Sequence, residues 1–410
     1  MSLFEIIAIL LSLTAVFSYI NHRFIGMPTG IGIMLIGLVL SLFLIVLNQM
    51  GWFSTELVER HLATIDFDET VMNGMLSFLL FAGALHVNLN RLSEHKETIA
   101  ILASLGVVMS ALMVSVAAYY LLAWCGIGIS YIYCLVFGVL ISPTDPIAVM
   151  GILKNVGAPK SIEVKITGES LFNDGVAVVL FIAVLGVATG EFEASFSHIG
   201  LLFIHEAIGG GVFGFVLGWV GYWALKSIDS YQVEVLITLA IVTGGYALAG
   251  YLHLSGPIAI VVAGLMIGNQ GRKLAMSDTT RIRLDDFWEL IDEILNSVLF
   301  LLIGLELLLI DFLPSYFYAA LLIIPTVILA RWISVGLPVS ILRIKKSYSP
   351  HAIKILTWGG LRGGISVALV LSLPNVPEKE PLLALTYAVV LFSILVQGMT
   401  VGKLAKLAKQ

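Results

Sequence analysis

Gly168-Glu-Ser-Leu-Phe-Asn-Asp174-Gly-Val-Ala-Val-Val-Leu-Phe-Ile-Ala-Val-Leu-Gly-Val-Ala-Thr-Gly190 is an apolar run of membrane length that carries two carboxylates, Glu169 and Asp174. As a helix it extends about 34 Å at roughly 1.5 Å per residue, enough to span a hydrocarbon core. A charge at the bilayer centre costs at least about 2.5–3.5 kcal/mol, so an intramembrane acid is a functional-site candidate by default. Ser170 and Asp174 share one helical face; Glu169 and Asn173 share the neighbouring one. A buried carboxylate with a hydroxyl and an amide beside it suits a small hard cation or a proton.

The composition fits that reading. Hydrophobic residues make up 59% of the 410 and charged residues 12%, with mean hydropathy +1.01, against about 25% charged in soluble chains. A soluble globular protein is excluded and an all-α polytopic membrane protein is expected, with the lipid bilayer as its surroundings. Residues 1–21 lack a basic n-region and a small-residue cleavage site, so they read as an uncleaved first helix. Cys125 and Cys134 sit in or beside apolar runs as small hydrophobes, without metal or disulfide spacing. No nucleophile–base spacing lies in a span, so an enzyme is not expected. Nothing suggests a cofactor or a nucleic-acid partner.

Apolar segments fall near 3–20, 28–48, 71–89, 98–124, 131–152, 168–190, 200–225, 232–251, 255–269, 289–310, 317–342, 352–373 and 383–402, about thirteen spans. Eighteen of the 22 lysines and arginines flank alternate connections. Only Arg60 and Lys379 lie on the opposite ones, and Arg331 and Arg362 fall inside spans. The positive-inside rule then places the C-terminus in the cytoplasm and the N-terminus outside. The outer connections are acidic, with Glu56, Glu59, Asp66, Asp68 and Glu69 in one and Glu191 and Glu193 in another.

Two spans are interrupted. The fifth contains Ser142-Pro143-Thr144-Asp145-Pro146, where two prolines remove backbone donors. The twelfth contains Gly359-Gly360-Leu361-Arg362-Gly363-Gly364, which can unwind or admit another backbone. They are seven spans apart. With the seventh span (200–226) as a linker, spans 1–6 and 8–13 form two six-helix units, inverted relative to each other, whose fifth members are both broken. Paired broken helices in inverted halves point to a transporter site at the repeat interface.

Asp145, with Thr144 and the carbonyls freed at the first break, offers hard oxygen ligands. Asp174 reads as the carrier, holding one proton or one cation; the alternative is a structural hydrogen-bond hub. Arg362 needs a counter-ion. Glu169 is the expected partner, with Asp145 or the half-helix dipole ends as alternatives. Arg331 either orients packing, snorkels or pairs with an acid such as Glu306. His86, near the cytoplasmic end of span three, is either a wetted residue or a pH sensor. Gly210, Gly211, Gly214 and Gly218 read as a helix-packing face.

Thr144-Asp145-Pro146, Glu169-Ser-Leu-Phe-Asn-Asp174 and Gly360-Leu-Arg-Gly363 resemble the signature segments of NhaP-type sodium/proton antiporters, in the monovalent cation:proton antiporter-1 family that includes the animal exchangers. The span count and the order of the breaks match over nearly the whole chain. The resemblance implies a homodimer in the cell inner (plasma) membrane. Its dimerisation domain would comprise residues 1–96 and 231–312, and a core of 97–190 and 317–404 would move elevator-fashion. It implies Na⁺ at Asp174, Asp145, Ser170 and the Thr144 main chain, Asn173 tying the broken helix to the carrier helix, and Glu169 paired with Arg362.

The Asn-Asp pair, in place of two aspartates, implies electroneutral exchange of Na⁺ (or Li⁺) for H⁺. Elementary bookkeeping agrees, since one carboxylate neutralised in turn by one proton or one monovalent cation moves no net charge. A potassium/proton antiporter of the same fold and a cation channel are the other readings. Relatives often carry an acid in the third span; Leu80-Phe-Ala-Gly-Ala-Leu85 has none, so water is expected to complete the ion shell.

Overall fold

The computed structural model describes residues 3–52, 69–191, 195–272, 276–309, 313–344, 348–349 and 351–407. The acidic residues 56, 59, 66, 68 and 193 and the basic residues 60, 273, 345, 346 and 409 lie outside that set. In chain order the helices are α1 (Phe4–Ile25), α2 (Thr29–Gln49), α3 (Thr70–Leu85) and α4 (Lys96–Trp124). Next come α5 (Tyr131–Leu140), α6 (Ile147–Val156), α7 (Lys160–Thr189), α8 (Phe196–Lys226) and α9 (Tyr231–Tyr251). The rest are α10 (Gly256–Gly271), α11 (Asp278–Glu306), α12 (Pro314–Leu342), α13 (Ala352–Trp358), α14 (Gly364–Leu371) and α15 (Lys379–Lys406).

Among the described residues eight helices are long and apolar enough to cross a membrane: α1, α2, α4, α7, α8, α9, α12 and α15. Of the other expected spans, α3, α10 and α11 are continuous and two are divided. Span five splits into α5 and α6 at the two prolines, and span twelve into α13 and α14 at the glycines. Backbone left without helical partners must be satisfied inside the protein. Here the two breaks satisfy each other. Asp145 N donates to Leu361 O at 2.8 Å, an isolated antiparallel bridge that makes the broken segments cross. Four half-helix ends therefore meet at one point.

Close packing around the crossing depends on glycine. A Cβ on Gly138 of α5 would strike the Ala111 backbone of α4, and Gly37 of α2 lies against Gly304 of α11. Gly210, Gly214 and Gly218 of α8 face Ser255, Ala259 and Met266 of α10, as their spacing predicts; Gly211 points into open space. The exposed flanks of α1, α2 and α8 carry Phe, Trp, Ile and Leu, as lipid-facing surfaces do.

α7 is the central strut. Its buried residues run from Ile162 to Gly186, and Gly190, at φ +79°, closes its C-terminus in the left-handed conformation that glycine adopts without strain. α15 contains a π-helical stretch, Ser393–Gly398. It turns the Ser393 hydroxyl to accept from the Arg362 backbone N–H at 2.9 Å, and Ser393 donates in turn to Gln397 Oε1 at 2.8 Å. The second break is thereby anchored to the last helix.

Candidate ion site at the helix crossing

Thr144, Ser170, Asn173 and Asp174 come together where α7 passes the first break, and all four are buried. Asn173 Nδ2 donates to Thr144 Oγ1 at 2.9 Å, and the Thr144 N–H reaches Asn173 Oδ1 at 3.5 Å. The Thr144 and Ser170 hydroxyls are 3.1 Å apart. The amide thus ties the broken segment to α7 and fixes Thr144 beside Ser170. Asp145 and Asp174 face one cavity and act on each other electrostatically. Two carboxylates in one low-dielectric space disfavour double ionisation unless a cation or a proton sits between them.

The arginines do not follow the expected pairing. Glu169 is bound to Arg331: Arg331 Nη1 donates to Glu169 Oε1 at 2.5 Å, with side chains 5% and 1% exposed. Glu169 therefore forms its ion pair with α12 and not with Arg362. It lies five residues from Asp174, about 140° around a helix of 3.6 residues per turn, and so turns away from the ion cavity. The suggested Arg331–Glu306 pair is also excluded, because the Arg331 guanidinium is taken up by Glu169 and by the Leu356 carbonyl at 3.3 Å. Glu306 is buried near the end of α11.

Arg362 takes the role of the dipole alternative. Its Nη1 donates to the carbonyls of Ser142 and Pro143, at 2.5 and 2.9 Å. A helix C-terminus leaves carbonyls unpaired and carries roughly half a negative charge. Arg362 satisfies two carbonyls of the break just beyond the end of α5, and Arg331 takes the Leu356 carbonyl in the last turn of α13. On the other face Lys379 Nζ caps the end of α14 through Leu371 O and Leu373 O, at 2.6 and 2.7 Å.

The cavity is about 400 Å³. Asp174, Ser170, Thr144 and Asp145 line its floor. His86, Arg91, Lys154 and Glu163 also line it. α3 contributes Leu80 and Gly83 and no acid. Asn88, Thr167, Asp292 and Ser366 add further polar groups to its lining. Asp292 comes from α11, and the Ser366 hydroxyl, from the first turn of α14, is buried without a hydrogen-bond partner among the described residues. The sequence signal for Asp292 was an acid on the same helical face as Leu295 and Leu299; for Ser366 there was only its nearness to the second break.

Gly363 faces the Asp145 carboxyl so closely that a Cβ would overlap it. α3 ends at Leu85, short of the 71–89 expected for that span, and just beyond it His86 Nδ1 lies 3.4 Å from Arg272 Nη2, with Arg272 paired with Asp285. Burial first, and then the Arg272 guanidinium, lower the His86 pKa from its ordinary value.

The sodium/hydrogen exchanger, transmembrane family matches residues 11–407. The chain is 49% identical over 407 residues to the Na⁺/H⁺ antiporter NhaP of Pseudomonas aeruginosa, covering 98% of this chain and 96% of that one. It is 35% identical over 385 residues to the Na⁺/H⁺ antiporter NhaH of Halobacillus aidingensis, covering 92% and 91%. The fold is shared with the sodium proton antiporter MjNhaP1 from Methanocaldococcus jannaschii, at a TM-score of 0.79 and 20% identity over 99% of each chain. A multi-pass helical protein with two crossed helix breaks and a carboxylate pair at their junction, this chain belongs to the transmembrane sodium/hydrogen exchanger family.

Proposed function

We propose that the chain is an electroneutral antiporter that exchanges one Na⁺ (or Li⁺) for one H⁺, with Asp174 holding each in turn. One observation carries the reading: among the described residues no lysine or arginine pairs with Asp174. Arg331 is held by Glu169, and Arg362 by the Ser142 and Pro143 carbonyls of the first break. An ionised Asp174 at membrane depth then needs a counter-ion from solution, and a protonated one needs none. Asp145, Ser170 and the Thr144 backbone supply the further oxygens, with Asn173 holding Thr144 in place. The names of the relatives, Na⁺/H⁺ antiporters, favour the same cation.

The chain crosses the inner membrane thirteen times, each broken pair counting as one crossing, with the N-terminus outside. The cavity mouth, beside Arg91 and Lys154, then faces the cytoplasm, and the structure corresponds to an inward-open state. α4–α7 and α12–α15 form the moving core, α1–α3 and α9–α11 the dimerisation domain of a homodimer, and α8 the linker. The cavity runs between those two units, as elevator-type alternating access requires.

The test is pH-gradient-driven uptake in proteoliposomes with Na⁺, Li⁺ and K⁺ compared. Asp174→Asn is expected to abolish exchange of every cation while the protein keeps its detergent-solubilised size; retained Na⁺ exchange would sink the assignment. Turnover should be indifferent to an imposed potential, because each net charge moved would feel about 2.3 kcal/mol per 100 mV. A strong response to voltage contradicts one-for-one exchange. K⁺ turnover matching that of Na⁺ would instead make this a broader cation antiporter.

A further inference from the structure

A groove of about 860 Å³ runs between α12, α13 and α15 and shares no lining residue with the ion cavity. Its α12 wall is Pro325, Ile328, Leu329 and Trp332, spaced i, i+3, i+4 and i+7 on one helical face. Trp332 and Leu329 are each 54% exposed. Trp358 Nε1 donates to Thr400 Oγ1 at 2.8 Å, which joins α13 to α15 across the groove.

The polarity along the groove is uneven. Apart from Thr357 and Thr400 its walls are apolar or aromatic, and the charges are Lys354 and Lys403. Both lysines are exposed, and neither has a carboxylate within ion-pair distance among the described residues. Lys354 lies in the first turn of α13 and Lys403 in the last turn of α15. The two cations therefore sit where these helices leave the membrane, and the apolar wall continues from Trp332 to Pro325, about 10 Å deeper at roughly 1.5 Å per residue.

We propose that this groove binds one anionic phospholipid. Its phosphate lies between Lys354 and Lys403, and an acyl chain runs along Trp332 and Leu329. Basic pockets between transmembrane helices at the positive side recognise such head groups. A zwitterionic lipid brings no net charge to the two lysines, and free phosphate makes no use of the apolar wall. The occupant also braces the ion site from behind. Thr357, one turn from Lys354, lines both this groove and a small void against Arg331 and Arg362. A lipid held at Lys354 thus steadies the half-helix whose carbonyl end Arg331 holds.

The experiment is native mass spectrometry of the full-length protein with phosphatidylglycerol or phosphatidylcholine in the detergent. The wild type is expected to retain phosphatidylglycerol in preference to phosphatidylcholine. Lys354→Gln/Lys403→Gln lowers that retention at least fivefold, whereas Lys226→Gln, an exposed lysine at the end of α8, leaves it unchanged. Equal retention in the double variant and the wild type overturns the site, as does equal retention of the two lipids or an equal loss in Lys226→Gln. In vesicles, phosphatidylglycerol with brominated chains should quench tryptophan fluorescence more than the brominated choline lipid. Trp332→Phe/Trp358→Phe should remove that difference; a difference that survives overturns the placement of the chain. Thermal stabilisation by phosphatidylglycerol but not by inorganic phosphate is expected, and stabilisation by phosphate alone reduces the site to an anion contact. Asp174→Asn should retain the lipid like the wild type, so this result is separable from the exchange assay.

Discussion

Replacing Glu169 by Gln tests the internal wiring most directly. The pair it breaks is buried on both sides, with Arg331 Nη1 donating to Glu169 Oε1 at 2.5 Å. Removing one partner of a buried ion pair leaves an uncompensated charge and costs about 3–5 kcal/mol, whereas removing both is close to neutral. Glu169→Gln alone should therefore lower unfolding stability by about 3–5 kcal/mol, and Glu169→Gln/Arg331→Gln should recover most of that loss. The rival pairing gives a different cycle. Arg362→Gln removes two charge-assisted bonds to the Ser142 and Pro143 carbonyls, worth about 1.5–3 kcal/mol each. Its effect should add to that of Glu169→Gln, with a coupling under about 1 kcal/mol, because the two side chains serve different partners. Equilibrium unfolding of the three single variants (Glu169→Gln, Arg331→Gln and Arg362→Gln) and the two double variants in one detergent gives both coupling energies. Rescue of Glu169→Gln by Arg362→Gln, with none by Arg331→Gln, refutes the assignment.

Three further outcomes follow from the same geometry. Asn173→Ala removes the 2.9 Å bond to Thr144 and frees a buried hydroxyl, a cost of about 1–3 kcal/mol; the apparent KM for Na⁺ in proteoliposomes should rise, and an unchanged KM would remove Thr144 from the ion shell. Gly363 has an extended backbone at φ −132°, which alanine tolerates, so Gly363→Ala acts only by pushing its methyl into Asp145. Isothermal titration should show Na⁺ binding lost there but largely kept in Gly364→Ala, whose methyl meets the flexible Leu299 side chain. His86 has a lowered pKa in the folded state, so below about pH 6.5 the unfolded chain binds more protons and stability falls with pH. Thermal unfolding across pH 5–8 should show that acid-side loss shrink in His86→Gln.

The sequence made the helix breaks readable because prolines and glycines in an apolar run have few physical explanations. The costly polar residues stood out for the same reason, as an acid or arginine at membrane depth needs a partner or a task. The partners themselves were harder to read. Helical spacing placed Glu169 and Asp174 on different faces, but two arginines could satisfy Glu169, and sequence alone does not say which helix packs against that face. Arg362 could as well have been drawn to a carboxylate as to carbonyls, and the choice depends on how the two breaks cross. Asp292 was obscured differently. Asp285, Asp286, Glu289 and Glu293 surround it, so its place on the face of Leu295 and Leu299 did not single it out until the cavity selected it.

The same crossing explains why the corrected arginine assignment strengthens the functional reading. Had Arg362 been spent on Glu169, the Ser142 and Pro143 carbonyls of the break would have remained partly negative beside Asp145 and Asp174. The crossing would then have carried an excess of negative charge with no protein cation to offset it. With Arg362 on those carbonyls and Arg331 shared between Glu169 and Leu356, both half-helix ends and one carboxylate are satisfied by residues that stay in place. Asp174, which has no lysine or arginine partner among the described residues, faces the cavity beside Asp145. An ion from solution can reach that carboxylate through the cavity, so the proposed competition of Na⁺ with H⁺ is placed there.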